Sequence, residues 1–216
     1  MFNYKVKMKE LLNSIENLKN SNVRNLVESR ITEFAEIKDN SSDLIFLELC
    51  FCIMTANCSA EKCIEIHEKI GEDFLKLSQD QLANRFKELG YRFPNKRSNY
   101  ITNARDSKKE LTNNLKSNER EMEKREWIAK NIKGLGYKEA SHFLRNIGFK
   151  NSAIIDFHIV DLLVKHELLI EKPKTMTKKK YLEIEQILKS IGDQSNLNLA
   201  ELDLYLWYLE TGKILK

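Results

Sequence analysis

Helical periodicity runs through almost the whole sequence, and it constrains the fold more than any other feature. Apolar residues recur at intervals of three and four, and the chain contains only two prolines, Pro94 and Pro173. No stretch alternates apolar and polar residues over a length that argues for a strand. The pattern therefore predicts an all-α protein, and 216 residues fit one large domain or two small lobes that share a cleft.

Helix-capping residues and glycines divide this pattern into separate helices. In SQDQLANRFKELG, residues 78–90, capping residues precede periodic leucines and a phenylalanine, and Gly90 ends the helix. Loops are predicted at YRFPNKR, residues 91–97, and at the basic stretch 171–180. The other predicted helices cover residues 5–19, 23–36, 43–56, 96–116, 119–131, 137–147, 157–168, 178–191 and 198–211, and one more starts near Ser59.

Composition is typical of an intracellular globular protein with a mildly basic surface. Lysine and arginine number 36 against 32 acidic residues, a net charge of +4, which permits nucleic-acid binding without requiring it. The longest apolar run, residues 44–54, is too short to span a bilayer and contains Glu48, and the N-terminus has no signal-peptide pattern. We therefore expect a cytoplasmic protein without a membrane partner.

All four cysteines lie close together, at Cys50, Cys52, Cys58 and Cys63. Their spacing matches no usual zinc or iron–sulfur pattern. Cys50 and Cys52 also lie on roughly opposite faces of a helix. We expect reduced thiols in the protein core rather than a metal site.

The segment NIKGLGYKEASHFL contains two of the seven glycines, Gly134 and Gly136, which are separated by one residue. Helical patterns on both sides predict a helix–hairpin–helix over about residues 124–147. Glycines allow a tight turn, and the N–H groups at the start of the second helix have no helical partners, so that they suit a phosphate. Such a hairpin holds a nucleic-acid backbone without reading its sequence. The alternative is a plain αα-hairpin whose glycines only make the turn.

Two residues near the hairpin are candidates for chemistry. Lys138 stands in the first turn of the second helix, where the partial positive charge of the helix start favours a deprotonated amine. Such an amine contacts DNA or acts as a nucleophile that forms a Schiff base with a sugar C1′. Asp156 follows the apolar residues 153–155 and precedes a helical pattern. It is therefore either a rigidly held catalytic carboxylate or a plain helix cap.

Taken together, the hairpin, Lys138 and Asp156 resemble the helix–hairpin–helix superfamily of base-excision DNA glycosylases. The usual hairpin of that superfamily has the form L-P-G-V-G, and Lys133 stands here in place of the proline. Three blocks, ELCFCIMTANCSAE, NIKGLGYKEASHFLRNIG and LDLYLWYLETGKILK, are similar to the archaeal-type 8-oxoguanine DNA glycosylase/AP lyase family, over nearly the whole chain. No cysteine follows Cys63, so the iron–sulfur cluster of endonuclease-III-like members is not expected.

This resemblance implies one glycosylase unit over residues 1–216, with two helical subdomains flanking a DNA-binding cleft. It implies removal of 8-oxoguanine through Lys138 and Asp156, followed by β-elimination that nicks the strand. The partner would be double-stranded DNA containing 8-oxoguanine or an abasic site, and the protein would be a monomer. No cofactor is expected, apart from Na⁺ or K⁺ held, with DNA bound, by the main-chain carbonyls of three hairpin residues, Lys130, Ile132 and Leu135.

The resemblance also places base recognition at the last residue, Lys216. We expect the end of TGKILK to fold into the pocket, where the Lys216 carboxylate or side chain meets the base. Trp207 is the leading candidate for stacking on a flipped base, and the alternative is an ordinary core tryptophan. The hairpin residues Lys133, Gly134 and Gly136 would hold the DNA backbone.

A second DNA contact is predicted at the aromatic and basic loop GYRFPNKR. Phe93 would wedge into the base stack, with Arg92, Lys96 and Arg97 on phosphates. A surface loop with solvated charges is the alternative. His142, one turn after Lys138, could touch the site but is expected to serve in packing.

Other functions also fit these residues. A sibling glycosylase would keep the mechanism and excise a different damaged base. A non-catalytic helix–hairpin–helix module would bind DNA and need no reactive amine at Lys138. An all-helical protein-interaction domain is a further alternative, and absent or salt-insensitive DNA binding would favour it.

Overall fold

A computed structural model describes the backbone of residues 2–216 and the side chains of residues 7–216. Over this part of the chain the regular secondary structure is helical, with no strand. The prediction of an all-α protein is confirmed. None of the helices in the described residues is long and apolar enough to cross a membrane.

Twelve α-helices succeed one another in the described residues, and a short 3-10 helix, Gly71–Leu75, follows the fourth. Side-chain caps begin several of them; Ser78, for example, accepts a hydrogen bond from the amide of Gln81 at the fifth helix. The helices are α1 (Phe2–Lys19), α2 (Val23–Lys38), α3 (Ser42–Thr55), α4 (Ala60–Ile70), α5 (Gln79–Glu88), α6 (Pro94–Asp106), α7 (Lys108–Lys116), α8 (Glu121–Asn131), α9 (Tyr137–Asn146), α10 (Phe157–Lys165), α11 (Lys178–Ser195) and α12 (Leu199–Thr211).

Two predicted boundaries are wrong in an informative way. The predicted loop YRFPNKR is helical from Pro94 onward, because proline suits the first turn of a helix, where its missing N–H costs nothing. The predicted helix 96–116 is two helices, α6 and α7, that meet at Ser107. The sequence shows neither a glycine nor a proline at that junction.

Helix α3 forms the centre of the first and largest hydrophobic cluster. It is apolar on all sides, and its residues Phe46, Leu49 and Phe51 are fully buried. Cys50, Cys52 and Cys63 are also fully buried, and burial raises the pKa of each thiol. No disulfide joins the four cysteines, and Cys58 is half-buried, so that three of the four lie in the core as predicted.

A second cluster joins the two ends of the chain. Leu11 and Ile15 of α1 pack with Leu163 of α10, Ile184 of α11 and Leu202 of α12. The first cluster takes its residues from the stretch between Ile45 and Ile147 instead. A smaller cluster connects α2 with α12. Residues from both parts of the chain line one cleft.

Acidification is expected to destabilise this fold, because His67 and His142 are held in the neutral form. Burial, followed by the charge of Lys216, lowers the pKa of His67 to about 4. Burial, followed by the charges of Arg145 and Lys138, lowers the pKa of His142 well below 6.5. The unfolded chain gains these protons near its normal histidine pKa, so stability present at neutral pH is lost as the pH falls below about 6.5.

The loss should approach ~1.4 kcal/mol per pH unit for each histidine. Burial raises the pKa of Asp203 to about 6, despite the opposing charge of Arg145. The folded state therefore binds this proton before the unfolded chain does, and Asp203 adds stability as the pH falls below about 6. Denaturant unfolding between about pH 7 and pH 5 measures the net effect. His67→Gln should flatten the curve, and a wild-type stability that rises on acidification would contradict this assignment.

Candidate functional site

A cleft with a volume of about 1240 Å³ is lined by residues from both halves of the chain. The start of α9, the loop before α10, the helix α12 and the last residues of the chain all contribute to its wall. Four of the residues singled out by sequence, Lys138, Asp156, Trp207 and Lys216, line this one cleft. Residues far apart in the chain therefore converge as the predicted roles require.

The hairpin between α8 and α9 is built on one strained position. Gly134 has φ of +96°, and a Cβ atom at this residue would lie 2.3 Å from Cδ2 of Tyr100. Gly136 has an ordinary φ of −94° and serves as the N-cap of α9. Position 134 therefore needs glycine for two reasons, its positive φ and the close approach of Tyr100. Neither reason applies to Gly136.

Substituting Gly134 by alanine should therefore destabilise the protein by about 2 kcal/mol, the scale of a strained non-glycine residue combined with a steric clash. Gly136→Ala is the matched control, since its Cβ would meet only the flexible carboxylate of Glu139, at 3.4 Å. Urea unfolding of both variants measures the difference. Equal losses at the two positions would contradict the geometry of this turn.

The start of α9 leaves N–H groups open toward the cleft. The helix has no side-chain cap, so the amides of Tyr137 and Lys138 in its first turn lack helical partners. The amide of Gly136 donates to Oε2 of Glu139 at 3.2 Å. A phosphate at this helix start would meet these open amides directly and would compete with the Glu139 carboxylate for the amide of Gly136.

Lys138 is half-buried and unpaired. Among the described residues, none forms a hydrogen bond or an ion pair with its amine. Its charge acts on the buried residues around it, since it contributes to lowering the pKa of His142 and opposes the raised pKa of Asp203. The amine is therefore held in the cleft wall by its helix and remains accessible for a reaction.

Asp156 caps α10, as its position in the sequence predicts. Its Oδ1 accepts a hydrogen bond from the amide of Ile159 at 3.0 Å. Its Oδ2 has no hydrogen-bonding partner in the described part of the chain. One oxygen thus fixes the carboxylate, and the other is free to interact with charge that develops in the cleft.

The segment before Asp156 is held by groups that sequence reasoning missed. The hydroxyl of Tyr181 donates to the carbonyl of Ala153 at 2.6 Å and accepts from the amide of Ile155 at 3.2 Å. Glu185 accepts from the amide of Ala153 at 2.9 Å and forms a buried ion pair with Arg125. These contacts leave the extended backbone little freedom, and they fix where Asp156 enters the cleft.

Lys216 turns back into the cleft rather than out to solvent. Its ammonium forms an ion pair with the buried Glu48 and lies 4.9 Å from the ring centroid of Phe51. The Lys216 backbone also lies close enough to His142 to act on the pKa of that imidazole. The expected position of the chain end agrees with this arrangement, and Glu48 is its unpredicted partner.

Two unpaired polar groups face the same space. Trp207 is half-buried, stands edge-on to His158 with ring centroids 4.9 Å apart, and has a buried indole N–H without a partner. His142 is buried, and neither of its ring nitrogens has a hydrogen bond in the described residues. Buried polar groups are nearly always satisfied, so these two require a ligand or water. His142 also packs edge-on against Phe51, with ring centroids 5.8 Å apart, and its expected packing role stays a prediction.

The predicted DNA-contact residues divide into two groups. Lys133 and Lys96 are exposed, and each ammonium lies 5.8 Å from the ring centroid of Tyr100, which brings the hairpin next to α6. Arg92 is also exposed and donates to the carbonyl of Asn57 at 3.4 Å. Lys133 and Lys96 thus form a basic edge at the hairpin, and Arg92 lines the cleft.

Arg97 does not belong to this edge. It was predicted in a surface loop, but it lies in α6, is 5 % exposed and donates to the carbonyl of Ala56 at 2.7 Å. The start of a helix at Pro94 turns its side chain inward, so its place as a phosphate contact is corrected to that of a structural residue. Phe93, the predicted wedge, is half-buried, with the guanidinium groups of Arg92 and Arg97 at 4.9 Å and 5.6 Å from its ring centroid.

Comparisons with known proteins agree with the geometry of this cleft. A family model described as 8-oxoguanine DNA glycosylase matches residues 27–197. A protein of Korarchaeum cryptofilum named 8-oxoguanine DNA glycosylase/AP lyase is 50 % identical over 207 residues, which cover 96 % of this chain and 98 % of that protein. Its namesake from Methanocaldococcus jannaschii is 50 % identical over 206 residues, covering 95 % of this chain and 99 % of that protein.

Solved structures show the same fold. The Methanocaldococcus jannaschii 8-oxoguanine glycosylase/lyase, crystallised with a 15mer DNA containing 8-oxoguanine, superposes with a TM-score of 0.93 at 49 % identity, over 96 % of this chain and 100 % of that one. The 8-oxoguanine DNA glycosylase of Thermotoga maritima superposes with a TM-score of 0.91 at 40 % identity, over 97 % of this chain and 100 % of that one.

Proposed function

The chain belongs to the 8-oxoguanine DNA glycosylase family, and from this premise we propose that it removes 8-oxoguanine from DNA and then nicks the strand as an AP lyase. The observation that carries the proposal is the unpaired amine of Lys138 in a cleft that also holds Asp156. The substrate is double-stranded DNA that contains 8-oxoguanine or an abasic site.

Excision begins with a flipped nucleotide, because the target sugar carbon is out of reach inside a duplex. The Lys138 amine attacks C1′ and the bond from C1′ to the base breaks, so that the base leaves with its bonding electrons and a proton. The C1′–O4′ bond of the sugar ring then breaks, O4′ takes up the proton left on the lysine nitrogen, and the nitrogen of Lys138 and C1′ form an imine. The imine acidifies the C2′ proton, whose loss expels the 3′ phosphate, and hydrolysis of the imine finally releases Lys138.

Asp156 acts on the charge that this reaction creates. Positive charge develops on the sugar as the base departs, and a fixed carboxylate nearby stabilises it. The free Oδ2 of Asp156 suits this role, because the hydrogen bond from Ile159 holds the other oxygen in place. The same oxygen is suited to accept the proton that Lys138 must lose before it attacks.

Recognition of the lesion depends on one proton. Guanine N7 is an acceptor, whereas 8-oxoguanine carries hydrogen there and becomes a donor, so a protein acceptor selects the lesion. The ammonium of Lys216 cannot accept and is already paired with Glu48. The main-chain oxygens of Lys216 and the neutral imidazole of His142 remain as acceptors in this part of the cleft, and Trp207 offers a ring face and an N–H donor.

The DNA backbone is gripped at the hairpin and the basic edge. Phosphates bind the open amides at the start of α9 and the cations Lys133, Lys96 and Arg92. The last carbonyls of α8 lack helical partners, so the carbonyl of Lys130, with those of Ile132 and Leu135 in the turn, suits Na⁺ or K⁺ when DNA is bound. Phe93 fills the space that the flipped base leaves.

The remaining assignments are proposed from the resemblance to the family. The enzyme works as a monomer with two helical subdomains, inside the cell and at the nucleoid. Its reaction needs no redox cofactor, since lysine supplies the nucleophile and no electron is gained or lost overall.

A nicking assay tests the proposed activity. A duplex with one 8-oxoguanine should be cleaved at the lesion, while the same duplex with guanine should stay intact. If the enzyme cleaves an abasic duplex but not the 8-oxoguanine duplex, the lyase activity is supported and the proposed base specificity is refuted. This result is expected for a sibling glycosylase. Binding without cleavage of either substrate would refute the enzymatic proposal.

A further inference from the structure

Glu48 is a carboxylate in the most apolar helix of the protein. It lies in α3, among the buried core residues of the first cluster, and is 5 % exposed. Its side chain forms an ion pair with Lys216, whose own side chain is 22 % exposed. A carboxylate in such a place is costly unless it is paired and hydrogen-bonded, so its partner set indicates what holds it there.

A chain of polar side chains holds Glu48 from the other side. Its Oε2 accepts a hydrogen bond from Nδ2 of Asn146 at 3.3 Å. The side-chain oxygen of Asn146 accepts from Arg145 at 2.9 Å and 3.2 Å, and Arg145 forms an ion pair with Asp203. Lys216 therefore lies at the end of a buried chain of ion pairs and hydrogen bonds. This chain runs from Asp203 in α12 through α9 to Glu48 in α3.

The segment around Lys216 has few other constraints. Helix α12 ends at Thr211, and Gly212 follows with φ of +70°. Lys213 reaches the rest of the protein through an ion pair with Glu61, in which both side chains are more than half exposed. Such an exposed pair contributes little to holding a segment in place. Ile214 of the same segment packs against the cluster that connects α2 with α12, and the buried pair of Glu48 and Lys216 is the contact that holds the Lys216 side chain in the cleft.

We propose that Glu48 is a positioning residue for base recognition, which places Lys216 and its main chain against the flipped base. The inference rests on the proposed function and assigns a specificity-determining role to a buried residue that is not among those lining the cleft. Asn146, Arg145 and Asp203 fix the rotamer of Glu48, so that the position of Lys216 is set before DNA arrives. Preorganisation of this kind matters because small displacements at a recognition site cost large factors in rate.

The two activities of the enzyme separate this role from a structural one. An abasic site has no base to recognise, so its cleavage does not depend on the placement of Lys216. Excision of 8-oxoguanine does. The useful quantity is therefore the single-turnover rate of 8-oxoguanine excision divided by the rate of abasic-site cleavage, measured for the same preparation.

Glu48→Gln should lower this ratio by about 10- to 100-fold, because it keeps the shape of the side chain and removes the charge that holds Lys216. Lys216→Met should lower it similarly. The double variant should be no worse than Lys216→Met alone, since Glu48 acts through Lys216. Glu61→Gln is the matched control, with the same chemical change at the exposed pair of the same segment, and should leave the ratio within about twofold of wild type.

Three results would overturn the proposal. The first is an equal loss of both activities in Glu48→Gln, which indicates damage to the whole fold; thermal unfolding of each variant measures that damage separately. The second is a double variant whose loss equals the product of the two single losses. The third is an equal fall in the ratio for Glu61→Gln and Glu48→Gln, which would make any tether of the segment sufficient. A wild-type enzyme that cleaves abasic sites but not 8-oxoguanine would instead refute the proposed substrate, and is recognised before any variant is made.

Discussion

Lys138→Gln is expected to lower the single-turnover rate of 8-oxoguanine excision and strand nicking at least ~10³-fold, or about 4 kcal/mol of transition-state stabilisation. Glutamine keeps the length and polarity of the side chain, but its amide nitrogen cannot attack C1′ or form an imine. The wild-type amine has no ion pair in the described residues, so the substitution leaves no buried partner charge behind.

Lys133→Gln is the matched control for this variant. It removes one lysine from the same hairpin, at an exposed position that is predicted to contact phosphate. It should weaken DNA binding and its salt dependence modestly, and leave an imine-forming enzyme. Lesion DNA should still bind to Lys138→Gln, which fluorescence anisotropy measures. Retention of nicking by Lys138→Gln would show that another residue supplies the nucleophile.

Asp156→Asn should lower excision by about 10²- to 10⁴-fold, the range of a lost charge-stabilising or acid–base group. Asparagine is as good a helix N-cap as aspartate, so the hydrogen bond to the Ile159 amide and the fold of α10 should persist. The substitution therefore removes the negative charge and keeps the structure of the cap. A loss of activity without a loss of stability would distinguish a catalytic role from a plain capping role.

Unfolding curves provide the internal check on Asp156→Asn. Its free energy of unfolding should lie close to that of the wild type, as should that of Asp80→Asn, an exposed aspartate in the first turn of α5. Asp80→Asn should also keep its excision rate. A large loss of stability in Asp156→Asn, with activity falling in proportion, would reduce Asp156 to a helix cap.

Local patterns in the sequence were sufficient to locate much of the cleft. The helices follow from periodicity and caps, and the turn at Gly134 follows from glycine spacing. Lys138 and Asp156 became candidates because each stands at the start of a helix, and the resemblance to the glycosylase superfamily assigned their roles. The structure places both in one cleft, and their roles there stay predictions until the variants are measured.

Long-range contacts could not be predicted in the same way. Glu48 looked like an interruption in an apolar run, and its partner Lys216 lies at the other end of the sequence. Tyr181 and Glu185 of α11 form hydrogen bonds with the segment before Asp156. The sequence pattern of α11 does not indicate these contacts. The prediction that Arg97 contacts phosphate was wrong because a helix begins at Pro94 and points the Arg97 side chain into the protein. The composition of the segment did not indicate this orientation.

The most direct test of the central claim is borohydride trapping on a duplex with one 8-oxoguanine. Borohydride reduces an imine to a stable amine, so a protein–DNA adduct marks the sugar C1′ bound to a lysine. We predict an adduct with the wild type, none with Lys138→Gln, and none on the guanine duplex. No adduct from either an 8-oxoguanine or an abasic duplex, under conditions where the strand is nicked, would contradict Schiff-base chemistry in this enzyme.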